Sequence, residues 1–381
     1  MTARLDLPGK PRILVIALRR LGDVLLTTPL IRSLRRAWPD ATLDVMVFAN
    51  TAAILDGNPD IDSVIGCPER PSVAESLVLV RGLWRRYDLA VSTQAGDRPS
   101  FFAIAAGRRR VAATEDRAIG KLKAMFMHRR VPMNPDLHRV EETLLLAHAL
   151  GIEACSDIVV PHTPSFAVPA HPYAVLHATP FFRYKQWHKA GWQALADDLA
   201  RRGLTIVASG GPHPQERAYL DAVWQDRPGI LRLDGALTWP QLGALLTQAR
   251  VYVGPDTSVT HLAAATGCPT VALFGPTDPS RWGPWPTGGL TEPWQSAGHV
   301  QRRGNVWLIQ NPLPCMPCLL EGCMRRVDSH SLCLDYMPVA PVLGAVEEAL
   351  SQAGGGVPAK TPLFNASSPP LHRDRCSGFA P

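Results

Sequence analysis

Short apolar runs alternate along the chain with longer stretches whose apolar residues recur every three or four positions. The first run, residues 12–18, is almost entirely apolar and predicts a strand buried on both faces. Helical spacing follows over residues 23–38. Further elements of the first half are strands at 42–48 and 88–92 and a helix at 140–150. This alternation predicts an α/β fold with parallel sheets.

A second series of the same kind follows residues 155–172, which are rich in Pro, His and Ser and predict a linker. Strands are predicted at 173–177, 204–209, 251–253 and 270–274, with helices at 190–202, 214–224, 238–248 and 257–266. Beyond Pro276 we expect irregular structure until a helix at 339–352. The predicted domains are residues 1–165 and 166–352, followed by a disordered tail at 353–381. Two such halves predict a ligand cleft between them, at the carboxyl ends of the strands.

Composition excludes several classes of protein. At 46% hydrophobic and 19% charged residues the chain has enough apolar content for a large core. Its longest apolar stretch, residues 13–18, is far short of the roughly 20 residues of a membrane span, and we find no secretory signal. We therefore expect a cytoplasmic protein with reduced thiols at Cys67, Cys155, Cys268 and Cys376.

The net charge of +6 lies in the first half of the chain. Residues 1–150 hold 22 Lys and Arg against 16 Asp and Glu, whereas the remainder is balanced. Ten basic residues and three acids fall between Arg98 and Arg139. An anionic partner for this half is one explanation, and a solvated charged face is the other.

Two acidic residues follow predicted strands at the turn into a helix. Asp23, after Gly22, is placed either to cap its helix or to accept a proton from an attacking hydroxyl in the cleft. For Asp256 the alternatives are again capping of its helix or a role in the cleft. The amides of Thr257 and Ser258 at the start of that helix are suited to phosphate. His261 shares a helical face with Thr257, or is simply a buried histidine.

Two other loops supply polar groups to the second half. Thr179, Arg183 and Lys185 follow the first strand of that half, where a diphosphate could lie. Glu216 follows the Gly210-Gly211 loop and is either a ribose acceptor or a first-turn helix charge.

Four cysteines cluster near the C-terminus, at Cys315, Cys318, Cys323 and Cys333. A Cys-x-x-Cys pair followed by two more thiols suggests a structural zinc site, although the spacing matches no standard finger. The alternative is structural thiols or a regulatory disulfide.

These residues together resemble glycosyltransferase family 9, which contains the ADP-heptose:lipopolysaccharide heptosyltransferases. The resemblance runs from about Arg12 to Leu350 and is carried by Gly22-Asp23-Val24-Leu25-Leu26 with Thr28-Pro29, Lys185-x-Trp187, Asp256-Thr257-Ser258 through His261-Leu262-Ala263-Ala264, and Gly275-Pro276-Thr277-Asp278-Pro279. It implies a GT-B fold, in which two Rossmann-like domains face each other across a cleft. It also implies inverting, metal-independent transfer of heptose from ADP-heptose to the lipopolysaccharide inner core, without a cofactor.

The resemblance further implies roles for single residues. Asp23 is the expected general base, and the expected donor-binding residues are Thr179, Lys185, Glu216, Asp256, Thr257, Ser258 and His261. The basic candidates for acceptor binding are Arg98, Arg109 and Lys121. The implied partners are a nucleotide sugar and an anionic glycolipid at the inner membrane, with no nucleic acid. Two alternatives remain: another donor or surface-glycan acceptor, or a non-catalytic nucleotide-sugar-binding assembly protein, against which Asp23 counts.

Overall fold

The computed structural model describes residues 3–115, 125–163 and 165–354. The first half of the chain builds a six-stranded sheet in the order β3-β2-β1-β4-β5-β6, with every pairing parallel. This is the doubly wound strand order of a dinucleotide-binding fold. The strands are β1 (Arg12–Ala17), β2 (Thr42–Phe48), β3 (Ser63–Cys67), β4 (Tyr87–Ser92), β5 (Gly107–Thr114) and β6 (Arg129–Pro132).

The second half repeats that order with one strand added. Its sheet runs β12-β13-β11-β10-β7-β8-β9, and only β12 pairs antiparallel, with β13. The other six strands therefore reproduce the winding of the first sheet. The strands are β7 (Tyr173–Leu176), β8 (Thr205–Ala208), β9 (Leu231–Arg232), β10 (Val251–Pro255), β11 (Thr270–Phe274), β12 (Val300–Arg303) and β13 (Val306–Gln310).

Helices cover both faces of each sheet, as parallel strands require. In the first half they are α1 (Leu21–Leu25), α2 (Thr28–Ala37), α3 (Val73–Leu83), α4 (Asp97–Ala106) and α5 (Arg139–Leu150). In the second half they are α6 (Lys189–Arg201), α7 (Pro214–Val223), α8 (Trp239–Gln248), α9 (Ser258–Ala265), α10 (Pro279–Trp282), α11 (Leu332–Asp335) and α12 (Val339–Gly354). Two 3-10 helices lie at Ala49–Leu55, of seven residues, and at Arg183–Lys185, of three.

The predicted helix over residues 23–38 is wrong in one respect, because the structure breaks it into α1 and α2. Pro29 has no amide proton to continue the ladder, so a single helix cannot run through it. The hydroxyl of Thr27 instead donates to the carbonyl of Asp23 over 2.8 Å, and that of Thr28 to the carbonyl of Leu25 over 2.8 Å. The break sets α1 apart as a short helix at the end of β1.

The expectation of irregular structure after Pro276 is also wrong in part. Residues 300–310 form the hairpin of β12 and β13, and β13 extends the second sheet beside β11. Trp294 and Trp307 are buried against this edge of the sheet. The strand Val306–Gln310 is short and largely apolar. It was not predicted because the residues before it are rich in Trp, Pro and Gly, which indicate irregular structure.

The two halves pack together through one continuous core. It joins α1, α2 and α5 of the first half to α8 and α9 of the second. The segment predicted as a linker lies against the first half, where the amide of Cys155 donates to Ser33 Oγ over 2.8 Å and that of Val159 to Thr28 Oγ1 over 2.9 Å. Of the predicted tail, residues 355–381 lie outside the described residues, as does Cys376. Across the described ranges, no helix is both long and apolar enough to cross a membrane.

Candidate active site

The loops after β10, β7 and β8 meet at one edge of the second sheet, because these strands are parallel neighbours. Thr179 follows β7, Asp256 follows β10 and Gly210 follows β8. A Cβ at Gly210 would lie 2.9 Å from Thr179 Cγ2, so the two loops are in close contact. The fold therefore gathers the polar loops that the sequence singled out.

A buried ion pair connects two of these loops. Lys185 Nζ donates to Asp256 Oδ2 over 2.5 Å, and the side chain of Thr277 also bonds this carboxylate. Burial alone would raise the pKa of Asp256, but Lys185 and His261 outweigh it and hold that pKa below its ordinary value. Asp256 is therefore a carboxylate at neutral pH, with Lys185 held in place beside it.

The helix start after β10 is capped by Thr257 rather than by Asp256. Thr257 Oγ1 accepts from the amide of Thr260 over 3.4 Å, and α9 begins at Ser258. The capping alternative for Asp256 is thus wrong, since its carboxylate faces Lys185 instead. The amides of Ser258 and Val259, the first two of α9, have no acceptor within their own helix, which makes this end of the helix electropositive.

Two buried polar atoms at the same edge lack partners. Thr179 Oγ1 and His261 Nδ1 are buried without a hydrogen bond, in residues only 2% and 5% exposed. Burial lowers the pKa of His261, and Lys185 adds to this while Asp256 and Asp23 oppose it. Unsatisfied buried groups are rare in folded proteins, so a polar ligand at this edge would supply what they lack.

Asp23 lies in the first turn of α1, and the capping alternative for it is also wrong. The N-cap of α1 is Arg20, which has no side-chain capping bond. The Asp23 carboxylate instead pairs with Arg19 over 3.1 Å and with Arg139 Nε over 3.5 Å. Two guanidinium groups therefore orient this carboxylate.

Asp23 lies where the first half meets the second, and its charge acts on the His261 ring of α9. A Cβ at Gly22 would lie 3.6 Å from the His261 ring and 3.7 Å from Ser258 Cα. Beside it, the Arg20 guanidinium covers the Phe182 ring at 5.0 Å. The start of α1 and the start of α9 thus meet across the two halves.

Arg139 is the residue that sequence reasoning misplaced. Counted there within a basic surface stretch, it is only 1% exposed and donates to Glu142 Oε2 over 2.7 Å. The same carboxylate oxygen accepts from Arg281 Nη2, in α10 of the other half, over 3.0 Å. A buried chain of charges therefore runs from Asp23 through Arg139 and Glu142 to Arg281. The sequence does not predict this buried chain of charges, because an Arg and a Glu three residues apart are common on exposed helices.

Glu216 lies in the first turn of α7, next to the Gly210-Gly211 loop that contacts Thr179. It accepts a hydrogen bond from the amide of Gly211, where a Cβ would approach Glu216 Oε2 to 2.0 Å. Burial raises the pKa of Glu216. Only glycine at position 211 lets this carboxylate sit against the loop.

The three basic candidates for acceptor binding are separated by the structure. Arg98 lines a cavity of about 460 Å³ at the carboxyl ends of the first sheet, together with Arg19, Glu69 and Gln94. Arg109 lies near the amino end of β5, beside Leu89, and is remote from that edge. Lys121 lies outside the described residues. Since Arg19 also pairs with Asp23, the cavity adjoins that carboxylate.

The four clustered cysteines lie beside the same site. Burial raises the pKa of Cys333, and the nearby thiols of Cys318, Cys323 and Cys315 raise it further. Their loop touches the site where the amide of Leu319 donates to the carbonyl of Pro276 over 2.9 Å. All four are free thiols, and within the described ranges no three metal-ligating side chains are arranged to hold an ion. The zinc alternative stays a prediction.

Comparison with known proteins agrees with this architecture. The profile of glycosyltransferase family 9 (heptosyltransferase) matches residues 77–289. Lipopolysaccharide heptosyltransferase 3 of Escherichia coli is 28% identical over 88% of this chain and 98% of its own length. Lipopolysaccharide heptosyltransferase 1 of Pseudomonas aeruginosa is 30% identical over 82% of this chain and 87% of its own. A solved Escherichia coli heptosyltransferase with ADP superposes with a TM-score of 0.66 at 20% identity, over 89% of this chain and 99% of that one.

Two Rossmann-like halves that meet at the ends of their strands define the GT-B class of glycosyltransferase. The predicted fold is confirmed. The chain belongs to glycosyltransferase family 9, and it is a glycosyltransferase.

Proposed function

We propose that this enzyme transfers heptose from ADP-heptose to a sugar of a lipopolysaccharide inner core, with inversion at the anomeric carbon. The observation that carries the proposal is the meeting of α1 and α9, where the charges of Asp23 from one half and of Lys185 and Asp256 from the other all act on His261. The similarity to heptosyltransferases over most of the chain supports this choice of sugar.

The donor fits the edge of the second sheet. The diphosphate would accept from the first-turn amides of α9 and from Lys185, and the buried Thr179 hydroxyl would gain a partner. Glu216 is placed to accept from ribose hydroxyls, and Asp256 and His261 to contact the sugar. The solved relative with ADP supports an adenine nucleotide.

The reaction is a single displacement. Asp23 accepts the proton of the acceptor hydroxyl, whose oxygen forms a bond to the anomeric carbon as the bond from that carbon to the diphosphate oxygen breaks. The electron pair of the broken bond leaves with ADP. Attack from the face opposite the diphosphate inverts the anomeric centre.

The charge that builds up on the leaving diphosphate is met by Lys185 and the N-terminus of α9. These groups are fixed before reaction, since Lys185 is already paired with Asp256 over 2.5 Å. We therefore propose transfer without a divalent metal. Addition of a chelator is expected to leave the rate unchanged, and a rate that fell and returned with added Mg²⁺ would contradict this.

The acceptor fits the cavity of the first sheet beside Asp23. Arg19 and Arg98 line it together with the acids Glu69, Asp97 and Glu115, so the two arginines would contact anionic groups of the acceptor and the acids its hydroxyls. We propose that the enzyme works at the cytoplasmic face of the inner membrane and holds its acceptor from this side.

The test is the Asp23→Asn variant with ADP-heptose and truncated lipopolysaccharide cores. We expect transfer to fall by about 10²- to 10⁴-fold, because the amide cannot accept the proton. Calorimetric binding of ADP-heptose should stay the same, and it also reports that the variant is folded. Exposed Asp40→Asn is the matched control.

Full transfer by Asp23→Asn would refute Asp23 as the base. Retention of the anomeric configuration, read by NMR of the product, would refute a single displacement. If ADP-heptose failed to bind while another nucleotide sugar bound, the proposed donor would be wrong.

A further inference from the structure

One face of the first sheet is covered by a layer with an unusual outer surface. The inner side of this layer is apolar and buried: Leu83 of α3, Phe102 of α4 and Met127 before β6 pack against the sheet. Its outer side also carries large apolar side chains. We call these the apolar surface: Val73, Leu77, Val78, Trp84, Phe101 and Phe126.

Three members of the apolar surface lie on α3. Val73, Leu77 and Val78 lie on adjoining turns and are 79%, 59% and 71% exposed. Trp84, 62% exposed, follows the end of that helix, and Phe101 projects from α4, which packs beside it. Single exposed apolar residues are ordinary, but a helix that points them both inward and outward marks an interaction surface.

Arginines are interspersed with these residues. Arg81 falls four residues after Leu77, on the same side of α3, while Arg85 and Arg86 directly follow Trp84, and all three are exposed. The amide of Arg85 donates to the carbonyl of Ala105 over 2.8 Å, which ties this loop to the end of α4. We call Arg81, Arg85, Arg86 and the exposed Arg108 the basic rim.

Acids offset only part of this charge. Asp88 pairs with Arg108 over 3.6 Å, and the charged Glu75 lies in the first turn of α3. Among the described residues no carboxylate forms a salt bridge with Arg81, Arg85 or Arg86. Arg109 does not belong to the rim, because side chains alternate along β5 and it points to the other face of the sheet.

The mixture of aromatic, aliphatic and guanidinium groups selects among partners. A second copy of this surface would bring the basic rim against itself in a two-fold dimer, which is repulsive. An anionic lipid surface accepts both components, since arginines attract its headgroups while Trp and Leu side chains enter the interface.

We propose that α3, α4 and the loop at Trp84–Arg86 dock this enzyme on an anionic lipid bilayer. The geometry fits the proposed function, on which this inference builds, because α4 begins at the cavity lined by Arg98 and ends beside Arg85. Docking along α4 thus brings the cavity next to the headgroups, where a glycolipid acceptor would present its sugars.

The experiment is flotation of the full chain with vesicles, without donor or acceptor. We expect binding to vesicles of phosphatidylethanolamine and phosphatidylglycerol, and at least about ten-fold weaker binding to phosphatidylcholine alone or in high salt. Two triple variants should each lose about ten-fold or more of the binding: Leu77→Gln/Val78→Gln/Trp84→Gln and Arg81→Gln/Arg85→Gln/Arg86→Gln.

The matched controls change exposed residues of the second half, and they should bind like the parent chain. They are Met324→Gln/Val327→Gln/Tyr336→Gln for the apolar set and Lys189→Gln/Arg201→Gln/Arg302→Gln for the basic set. Binding of ADP-heptose verifies that each variant is folded. Equal binding by parent and variants, or no preference for anionic lipid, would overturn the proposal. So would a parent chain that dimerises through this surface and ignores vesicles. Because no transfer is measured, failure here is distinct from failure of the proposed reaction.

Discussion

The two walls of the cleft use charge in opposite ways. In the first half the Asp23 carboxylate belongs to a buried chain of ion pairs with Arg139, Glu142 and Arg281, although Arg139 Nε and Glu142 Oε1 make no hydrogen bond. In the second half Thr179 Oγ1 and His261 Nδ1 are buried without hydrogen bonds. The unbonded atoms of the first half belong to charged groups that ion pairs already hold, whereas the Thr179 hydroxyl has no such partner and is available to a polar ligand.

This difference matches the two tasks of the proposed reaction. The base must hold one geometry through proton transfer, and the ion pairs with Arg19 and Arg139 hold its carboxylate without substrate. The donor wall must bind and release a dianionic diphosphate, so part of its hydrogen-bonding capacity is left open. The first wall is therefore expected to respond to mutation through stability, and the second through donor binding and rate.

The largest effect is expected from breaking the buried chain of charges that contains Arg139. Arg139→Met removes the buried guanidinium that bonds Glu142 over 2.7 Å and faces Asp23. We expect the free energy of unfolding to fall by about 3–5 kcal/mol, because buried carboxylates lose their partner. Chemical denaturation measures this fall.

The double variant Arg139→Met/Glu142→Met should recover much of that loss, since no charge is then stranded. Arg201→Met is the control: Arg201 is exposed and pairs with Asp198 over 2.9 Å, and its loss should cost under about 1 kcal/mol. Equal effects at Arg139 and Arg201 would show that the buried network contributes nothing special.

The donor wall is tested by Lys185→Met. We expect kcat/KM to fall by about 10²- to 10³-fold, because the charge that meets the leaving diphosphate is gone. Weaker ADP binding by calorimetry should accompany this fall, whereas stability should change less than in Arg139→Met. Lys189→Met, four residues further on and exposed, is the matched control.

Lys185→Arg should restore only part of the rate, since a planar guanidinium cannot take the place of a compact ammonium held at 2.5 Å from Asp256. A Lys185→Met enzyme with normal ADP affinity and normal turnover would remove Lys185 from the site.

The two walls also differ in how far the sequence could predict them. Apolar runs located β1, β2, β7, β10 and β11, because buried parallel strands are continuously apolar. Since polar residues that follow such strands converge at one edge, Thr179, Lys185 and Asp256 were found together. Their roles remain predictions.

What the sequence missed depends on long-range contacts. Arg139 looks like a surface arginine because its partner Asp23, and Arg281, which bonds the same Glu142 carboxylate, are more than 100 residues away along the chain. The capping interpretations of Asp23 and Asp256 failed for a similar reason, since Arg139 and Lys185, both distant in sequence, compete with local backbone amides for these carboxylates. Strands β3, β5 and β6 were not predicted, because arginines and glycines interrupt their apolar pattern.

The smallest effect concerns proton binding where the two halves meet. His138 is buried against Trp285, its Nδ1 accepts from the amide of Val140 and its Nε2 lies 2.8 Å from the carbonyl of Gly283 in the other half. The proton therefore sits on Nε2. Burial lowers the pKa of His138 to about 3 and that of His177, in the donor wall, to about 4.

In the unfolded chain both imidazoles take up a proton near pH 6.5. The folded state stays neutral there, so the free energy of unfolding is highest above pH 6.5, falls as the pH drops from 6.5 towards the folded pKa values, and loses no more from these groups below them. Each histidine adds up to about 1.4 kcal/mol per pH unit to this slope. The His138→Asn variant should lose the contribution of that histidine to the slope, which extends from pH 6.5 to about pH 3. The His177→Asn variant should lose a contribution that extends only to about pH 4. Denaturation midpoints measured between pH 7 and pH 4 test this, and a slope unchanged in His138→Asn would mean that the imidazole between the halves is charged in the folded protein.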